Sequence, residues 1–219
     1  MNSKRIVAFV GLMGVGKSTL VSHLKLLRPE LIYIDEPLED WINIKDPTTG
    51  DNLLGLFYAD QPRWSYTFEN IAFITRLDRM LTALASPSSS VIVMDSMVAT
   101  DRNVYALMLH DQRKMTEIEW ICYNIWHDFY LKYIQPHQIT YVYLRCDPHI
   151  VFHRVNDRKR TEEKKIELEY LIELNRYFEQ WVQEMIQRGQ SVIIHDFNYQ
   201  ITDPQYRDLV INLSNQVIK

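Results

Sequence analysis

A short run near the start of the chain combines residue types that bind a polyphosphate. Gly11, Gly14 and Gly16 are three of the six glycines in the 219-residue chain, and Lys17 and Ser18 follow at once. This run matches the pattern G-x-x-x-x-G-K-[ST], in which glycines let successive backbone N–H groups point at phosphate oxygens. The lysine supplies positive charge between the β- and γ-phosphates, and the serine hydroxyl is an oxygen ligand suited to Mg²⁺. The run therefore predicts a P-loop that binds a nucleoside triphosphate, with ATP and Mg²⁺ as cofactors.

The predicted nucleotide site takes in the whole loop and the start of the following helix. Its residues are Gly11, Leu12, Met13, Gly14, Val15, Gly16, Lys17, Ser18 and Thr19. Of these, Lys17 is also predicted to be catalytic, because it lies beside the phosphate that moves. The loop predicts nucleotide binding, but it does not distinguish hydrolysis from transfer to an acceptor.

A carboxylate at the end of the second predicted strand is a candidate general base. Glu36 stands between Asp35 and Pro37, where the chain leaves the strand. In a parallel sheet the carboxyl ends of the strands open onto the ligand crevice, so Glu36 is placed to accept a proton from an attacking hydroxyl. A solvated acid at the start of a loop explains the position equally well.

The elements that must position these residues alternate along the chain. Apolar runs without polar alternation indicate buried strands over 6–10, 31–34, 91–94, 139–144 and 191–194. Helical periodicity lies between them, over 17–27, 66–85, 116–134 and 167–188. This alternation predicts an α/β fold of the P-loop NTPase type, three layers (α/β/α) around a central five-stranded parallel sheet. No segment resembles a linker, so residues 1–219 are predicted to form a single domain.

Composition excludes several classes of protein. The hydrophobic fraction of 47% and the charged fraction of 24% are typical of globular chains, and a net charge of −4 gives no basic footprint for a nucleic acid polymer. No run approaches the length of a membrane span, and the first apolar run begins too early to leave room for a cleavable leader. Cys122 and Cys146 lack metal-site spacing, which favours thiols in a reducing compartment and a cytoplasmic location.

Several runs after the P-loop resemble one family of enzymes. The letters E-P-L-E-D-W at 36–41, Y-A-D-Q-P-R-W-S-Y-T-F at 58–68 and D-R-N-V-Y-A at 101–106 occur in order. They are followed by R-V-N-D-R-K-R-T-E-E at 154–163 and L-E-Y-L at 168–171. These runs resemble the signatures of the deoxynucleoside kinases, the family of the deoxycytidine, deoxyguanosine and mitochondrial thymidine kinases. The resemblance implies a lid at about 154–165.

The resemblance implies roles around a nucleoside. Glu36 would take the proton from the 5′-hydroxyl, and Tyr58 and Glu163 would hold the sugar 3′-hydroxyl. The base pocket would be walled by Trp41, Phe68 and Tyr105. Without the resemblance, these aromatic side chains would be interpreted as core.

The resemblance also assigns the charged residues. Arg76 and Asp101 would form a charged pair at the edge of the base. Arg154, Arg158 and Arg160 would close on the phosphates as catalytic lid arginines, and an arginine fork reaches two phosphate oxygens at once. By the residues alone, this charged run also fits a solvated face. Members of the family commonly form homodimers through helices, which makes 116–134 the candidate interface, although a core helix explains it as well.

The chain departs from the family pattern after the third strand. The family has an acid followed by arginine there, and this chain has Asp95 followed by Ser96. Asp95 can still serve Mg²⁺, directly or through water, so Ser18 and Asp95 are the predicted metal residues. Loss of the arginine would cost about 2–4 kcal/mol of transition-state stabilisation unless Arg102 or a lid arginine compensates.

A second departure lies in the base pocket, where the family's glutamine falls at Glu69. An ionised carboxylate only accepts hydrogen bonds, whereas guanine presents two donors side by side, N1–H and N2–H₂. Glu69 therefore predicts a preference for deoxyguanosine or purines. A protonated Glu69 would instead mimic an amide, and the neighbouring Asn70 would restore one if the matching shifts by a residue.

These observations predict an enzyme that phosphorylates the 5′-hydroxyl of a deoxynucleoside in nucleotide salvage. Its partners would be the deoxynucleoside, a nucleoside triphosphate donor and a second copy of the chain, with no membrane and no nucleic acid polymer. A nucleoside monophosphate kinase shares the P-loop architecture and is the first alternative. A catalytically weak nucleotide-binding relative is the second, and Ser96 is the feature that favours it.

Overall fold

The computed structural model describes residues 3–218, so residues 1, 2 and 219 of the predicted domain lie outside it. A parallel sheet in the order β2-β3-β1-β4-β5 forms its centre. The strands are β1 (Arg5–Val10), β2 (Ile32–Ile34), β3 (Val91–Met94), β4 (Gln138–Arg145) and β5 (Ser191–Asp196). Residues 6–10 are all buried, so both faces of β1 are covered by packed helices. The predicted α/β fold with five parallel strands is confirmed.

Helices occupy most of the connections between the strands. They are α1 (Lys17–Leu27), α2 (Leu38–Asn43), α3 (Leu53–Ala59), α4 (Gln61–Ala85), α5 (Val98–Thr100), α6 (Leu107–Asp111), α7 (Glu117–Ile134), α8 (Pro148–Arg158), α9 (Leu168–Gln187) and α10 (Pro204–Ile218). A π-helical segment, Asp101–Ala106, joins α5 to α6, and a 3₁₀ segment, Thr161–Lys165, follows α8. Within residues 3–218, no helix is both long and apolar enough to cross a membrane.

Helix α4 begins one turn earlier than the predicted start at residue 66. The side chain of Asp60 accepts a hydrogen bond from the backbone N–H of Arg63, and Pro62 lies in the first turn. An aspartate cap followed by proline is a strong start signal, and it carries the helix back to Gln61. Helix α7 begins close to the predicted residue 116, because Thr116 and Glu119 form a capping box.

The P-loop emerges from the central strand, and two of its glycines are packed too closely against neighbouring elements to carry a side chain. At Gly11, with φ of +144°, an added Cβ would lie 2.7 Å from the backbone oxygen of Leu144. At Gly14, with φ of +76°, it would lie 2.5 Å from a methyl group of Val155. Glycine is therefore required both by the left-handed backbone and by close contact with β4 and α8.

The hydrophobic core has two parts in the described residues. The larger part surrounds the sheet, and the smaller part lies between α2, α3 and α4 at the carboxyl end of the strands. The smaller cluster contains Trp41, Leu53, Leu54, Phe57, Phe68, Ala72 and Leu109. Two of its members are predicted base-pocket residues, so this cluster joins the core to the cleft.

A buried lysine fastens the start of β1 to the end of α4. The Lys4 side chain donates to the carbonyl oxygens of Ala83 at 3.1 Å and Ser89 at 2.9 Å, and also to that of Ser86. The Ala83 and Ser86 carbonyls lie at the C-terminal end of α4, where a positive charge also interacts favourably with the helix dipole, and Ser89 lies in the loop before β3.

Replacing this lysine tests that contribution. Lys4→Met is expected to lower the free energy of unfolding by about 1–3 kcal/mol, because buried carbonyl groups lose their donor. Urea titration followed by circular dichroism measures the change, with Lys45→Met, whose side chain is exposed, as the matched control. Equal midpoints for the two variants would contradict the assignment.

Candidate active site

The carboxyl ends of the strands open onto a cleft of about 460 Å³. Most of the predicted site residues line it: Gly11, Met13, Gly14, Val15, Gly16, Lys17, Ser18, Thr19, Glu36, Trp41, Tyr58, Phe68, Glu69, Arg76, Asp101, Tyr105, Arg154, Arg158, Arg160 and Glu163. Leu12 is instead buried in the core below the loop, and Asp95 is buried next to the P-loop residues. The structure therefore gathers residues from widely separated parts of the chain around one cavity.

Lys17 holds its ammonium at the mouth of the P-loop. Its Nζ donates to the backbone oxygens of Gly11 at 2.9 Å and Leu12 at 3.0 Å. Burial lowers the pKa of Lys17, while the nearby carboxylates of Asp95 and Glu36 oppose that shift. The positive charge thus lies at the helix N-terminus, where phosphate groups bind.

The corner between Ser18 and Asp95 fits a divalent cation with oxygen ligands. Asp95 is 3% exposed, and its Oδ1 atom has no hydrogen-bond partner among the described residues. Burial raises the pKa of Asp95, and Lys17 opposes the shift. An orphaned carboxylate oxygen beside a serine hydroxyl is a donor set suited to Mg²⁺.

Arg76 links two carboxylates across the cleft. Its guanidinium lies 2.8 Å from Glu36 Oε1 and 2.7 Å from Asp101 Oδ1, and it stacks 4.7 Å from the ring of Trp41. Burial would raise the pKa of Glu36, but Arg76 and Lys17 outweigh it, and the net pKa is lowered. Glu36 is therefore an ionised carboxylate between the P-loop and the predicted nucleoside pocket.

Glu69 differs from the ionised acceptor assumed from the sequence. It is 2% exposed, and its Oε2 atom has no hydrogen-bond partner among the described residues. Burial raises its pKa well above the ordinary value, Asp101 raises it further, and Arg76 opposes the shift. Burial also raises the pKa of Asp101, to about 6, but Asp101 holds the direct ion pair with Arg76, so Glu69 is the carboxyl whose pKa is raised further. A neutral Glu69 both donates and accepts, as an amide does.

Aromatic side chains form the wall beside Arg76. Phe68 meets Trp41 edge-on at 5.3 Å between ring centroids and stacks on Phe57 at 4.4 Å. Tyr105 lies edge-on to Phe178, and the Tyr58 hydroxyl donates to the sulfur of Met13 at 3.7 Å. Of the predicted wall residues, Trp41 and Phe68 are thus in contact, and Tyr105 lines the same cleft.

Sequence reasoning missed several lining residues. Phe57 shares a face of α3 with Leu53 and Leu54, a helical spacing that was available in the sequence. Tyr170 lies within the L-E-Y-L run, whereas Phe197 and Tyr199 come from the loop after β5. That loop follows the last strand, so its place at the crevice follows from the topology of the sheet.

The lid arginines divide into two groups. Arg158 and Arg160 both donate to Glu163, and the bond from Arg160 is 2.7 Å long. The arginines predicted to bind phosphate and the glutamate predicted to bind the sugar therefore form one cluster. Arg154 instead donates to the backbone oxygens of Val15 at 2.9 Å and Tyr199 at 2.7 Å. Arg154 thereby joins the P-loop to the loop after β5.

Ser96 lines the cleft, but Arg102 does not. The Arg102 side chain donates to Asn124 at 2.9 Å and stacks 4.7 Å from the ring of Trp120 on α7. From this position Arg102 cannot supply the positive charge that an arginine at position 96 would place in the cleft. Arg160 is close enough to lower the pKa of Glu36, which makes it the better placed of the two candidates.

Comparison with known proteins agrees with this geometry. A family model described as deoxynucleoside kinase matches residues 7–219. The chain is 32% identical to the mitochondrial deoxyguanosine kinase of Xenopus laevis, over 83% of this chain and 74% of that protein. It is 30% identical to the deoxycytidine kinase of Homo sapiens, over 80% and 74%, and 29% identical to a probable deoxycytidine kinase of fowlpox virus, over 90% and 80%. The chain therefore belongs to the deoxynucleoside kinase family, as its resemblance predicted, and it is a kinase.

Proposed function

We propose that this kinase transfers the γ-phosphate of ATP, or of another nucleoside triphosphate, to the 5′-hydroxyl of a deoxynucleoside. The product is the deoxynucleoside monophosphate. The observation that carries the proposal is the place of Glu36, an ionised carboxylate bonded to Arg76 on the nucleoside side and close to Lys17 on the phosphate side. A hydroxyl held there would have a base, Glu36, on one side and the γ-phosphorus of a triphosphate bound at Lys17 on the other.

Phosphoryl transfer needs positioning and charge neutralisation more than covalent chemistry. The P-loop N–H groups and Lys17 would hold the triphosphate. Ser18 and Asp95 would hold Mg²⁺, which neutralises phosphate charge when bound. Glu36 would accept the 5′-hydroxyl proton as the oxygen bonds to the γ-phosphorus and the nucleoside diphosphate leaves.

Arg160 is proposed to supply the charge that Ser96 lacks. It lies in the cleft near Glu36, whereas Arg102 is held on α7. Arg158 would assist on the phosphates, and Tyr58 and Glu163 would hold the sugar. The Arg154 bridge would fix the P-loop against the loop after β5.

Base preference is proposed to depend on the protonation of Glu69. Neutral Glu69 can match any of the four bases by placing its proton on the appropriate oxygen, so it discriminates weakly. Ionised Glu69 only accepts, which suits N1–H and N2–H₂ of guanine and repels N3 of cytosine. The proposed preference for deoxyguanosine therefore belongs to the ionised form. Arg76 and Asp101 at the base edge complete the pocket.

We further propose a homodimer that associates through α7. Its outer face exposes large apolar side chains: Ile118, Ile121, Ile125, Trp126 and Phe129. Contiguous exposed apolar patches of this kind mark interaction surfaces. The single domain over 1–219, its lid at 154–165 and the cytoplasmic location stay predictions, and one relative is a mitochondrial protein.

Glu36→Gln tests the proposed base. The variant should lose about 10²–10⁴-fold in deoxynucleoside-dependent ATP consumption, because the amide cannot accept the proton. ATP binding should be retained, and chromatography should show the monophosphate as the product of the wild type. Glu39→Gln, an exposed acid on α2, is the matched control. Wild-type turnover in Glu36→Gln would rule out the assignment, and a diphosphate made from a monophosphate would favour the alternative kinase.

The role of Glu69 predicts a pH-dependent specificity. Because its pKa is raised, Glu69 is neutral at low pH and ionises as pH rises, so the ratio of kcat/KM for deoxyguanosine over deoxycytidine should increase. We expect roughly a tenfold rise in this ratio from the acidic to the alkaline end of the pH range in which the enzyme is stable, with deoxyguanosine best of the four deoxynucleosides at the alkaline end. Glu69→Gln cannot titrate and should give a constant ratio. A flat ratio in the wild type would refute the proposal.

The interface predicts a change in mass. Light scattering after gel filtration should give a dimer for the wild type and a monomer for Ile125→Glu, since a charge would be buried between the α7 helices. Leu26→Glu changes an even more exposed apolar side chain on α1, 78% exposed against 63%, and should stay dimeric. A monomeric wild type, or a dimeric Ile125→Glu, would exclude this interface.

A further inference from the structure

Asn52 bonds to two different parts of the cleft. Its Oδ1 accepts a hydrogen bond from the backbone N–H of Gly55 at 2.8 Å, which caps α3. Its Nδ2 donates to Glu162 Oε1 at 2.7 Å, in the 3₁₀ segment of the lid. One half-buried amide therefore joins α3, a helix that lines the proposed nucleoside pocket, to the lid.

The two residues of this bond belong to elements that hold different parts of the site. Helix α3 contributes Phe57 and Tyr58 to the proposed nucleoside pocket. Glu162 precedes Glu163, which holds Arg158 and Arg160. The bond thus lies between the residues that would contact the deoxynucleoside and those that would contact the phosphates.

Gly55 lies close to both residues of this bond. An added Cβ there would lie 3.3 Å from Asn52 Oδ1, a tight contact, and 3.9 Å from Glu162 Cγ, an ordinary van der Waals contact. The loop before α3 is held in turn by a backbone bond from Leu53 to Ile44 at 2.9 Å. The amide of Asn52 is therefore fixed against the lid.

Local hydrogen bonds and ion pairs connect the residues of the lid segment to one another. Lys159 adopts a left-handed backbone with φ of +55°, which directs Arg158 and Arg160 to the same carboxylate. The N–H of Glu163 donates to the carbonyl of Arg160, and buried Ile166 donates to that of Glu163. A displacement of Glu162 would consequently displace both arginines.

We propose that Asn52 and Glu162 are positioning residues that couple the nucleoside pocket to the lid. A deoxynucleoside bound against Tyr58 would hold α3 in place. The Asn52–Glu162 bond would then hold the lid, and with it the arginines that contact Glu163, in the position that binds phosphate. Bound nucleoside would then strengthen binding of the donor, and the effect would be reciprocal. This inference rests on the proposed function of the cleft.

The pair permits a test that preserves the cap of α3. Asn52→Asp keeps an oxygen for the Gly55 N–H, since aspartate caps helices as well as asparagine does. It removes the donor to Glu162 and sets one carboxylate against another. Glu162→Gln alone keeps an acceptor for Asn52, and combined with Asn52→Asp it restores the bond with donor and acceptor exchanged.

The measurement is the Kd of a non-hydrolysable ATP analogue with Mg²⁺, with and without saturating deoxyguanosine or deoxycytidine. The wild type and Glu162→Gln should bind the analogue about tenfold tighter when nucleoside is present. Asn52→Asp should lose this factor, and the double variant should regain it. Wild-type coupling in Asn52→Asp, or no recovery in a folded double variant, would overturn the proposal.

Hydrogen exchange of the ligand-free protein separates this inference from the proposed function. Asn52→Asp should accelerate exchange across residues 160–166, and the double variant should slow it again. If the wild type binds no deoxynucleoside, the proposed function fails, and exchange alone then decides whether Asn52 holds the lid. If the wild type is an active kinase but Asn52→Asp changes neither exchange nor coupling, the inference fails alone.

Discussion

A buried guanidinium between two carboxylates sets the geometry of the cleft. Arg76 bonds to Glu36 after β2 and to Asp101 at the start of the π-helical segment, so one side chain on α4 fixes two other elements. A buried charge is tolerated only where such partners surround it, and removing one partner leaves the others uncompensated. The same constraint explains why the pKa of Glu69, a third acid in the cluster without its own ion pair to Arg76, is raised.

Local patterns in the sequence predicted the sheet, its helices and the P-loop, whereas most of the nucleoside side of the cleft was predicted by the resemblance to the family. The apolar runs and the glycine spacing specify β1 and the P-loop, and the carboxyl ends of parallel strands meet at one edge. Asp95 was paired with Ser18 because it keeps the acid that the family has after the third strand. The early start of α4 was missed because the Asp60 cap stands outside the apolar periodicity that marks the rest of the helix.

The state and partners of several charged groups could not be predicted in this way. Arg158 and Arg160 lie within five residues of Glu163 in the sequence, but their convergence on its carboxylate depends on the left-handed backbone at Lys159, which no sequence pattern indicates. The protonation of Glu69 likewise depends on burial, which a single sequence does not give. These are interactions of tertiary structure, and they decide the chemical state of groups whose identity was already known.

The order of strands also places the phosphate-binding loop and the proposed base on elements of different local stability. The P-loop follows β1, the central strand, paired on both sides, whereas Glu36 follows β2, a three-residue strand at the edge. Edge elements with few backbone bonds open at lower free energy than central ones. Partial unfolding would therefore detach the base while the phosphate loop stays folded. Under mild heat or denaturant, such a molecule would pass through a state that still binds its nucleotide but no longer transfers the phosphate.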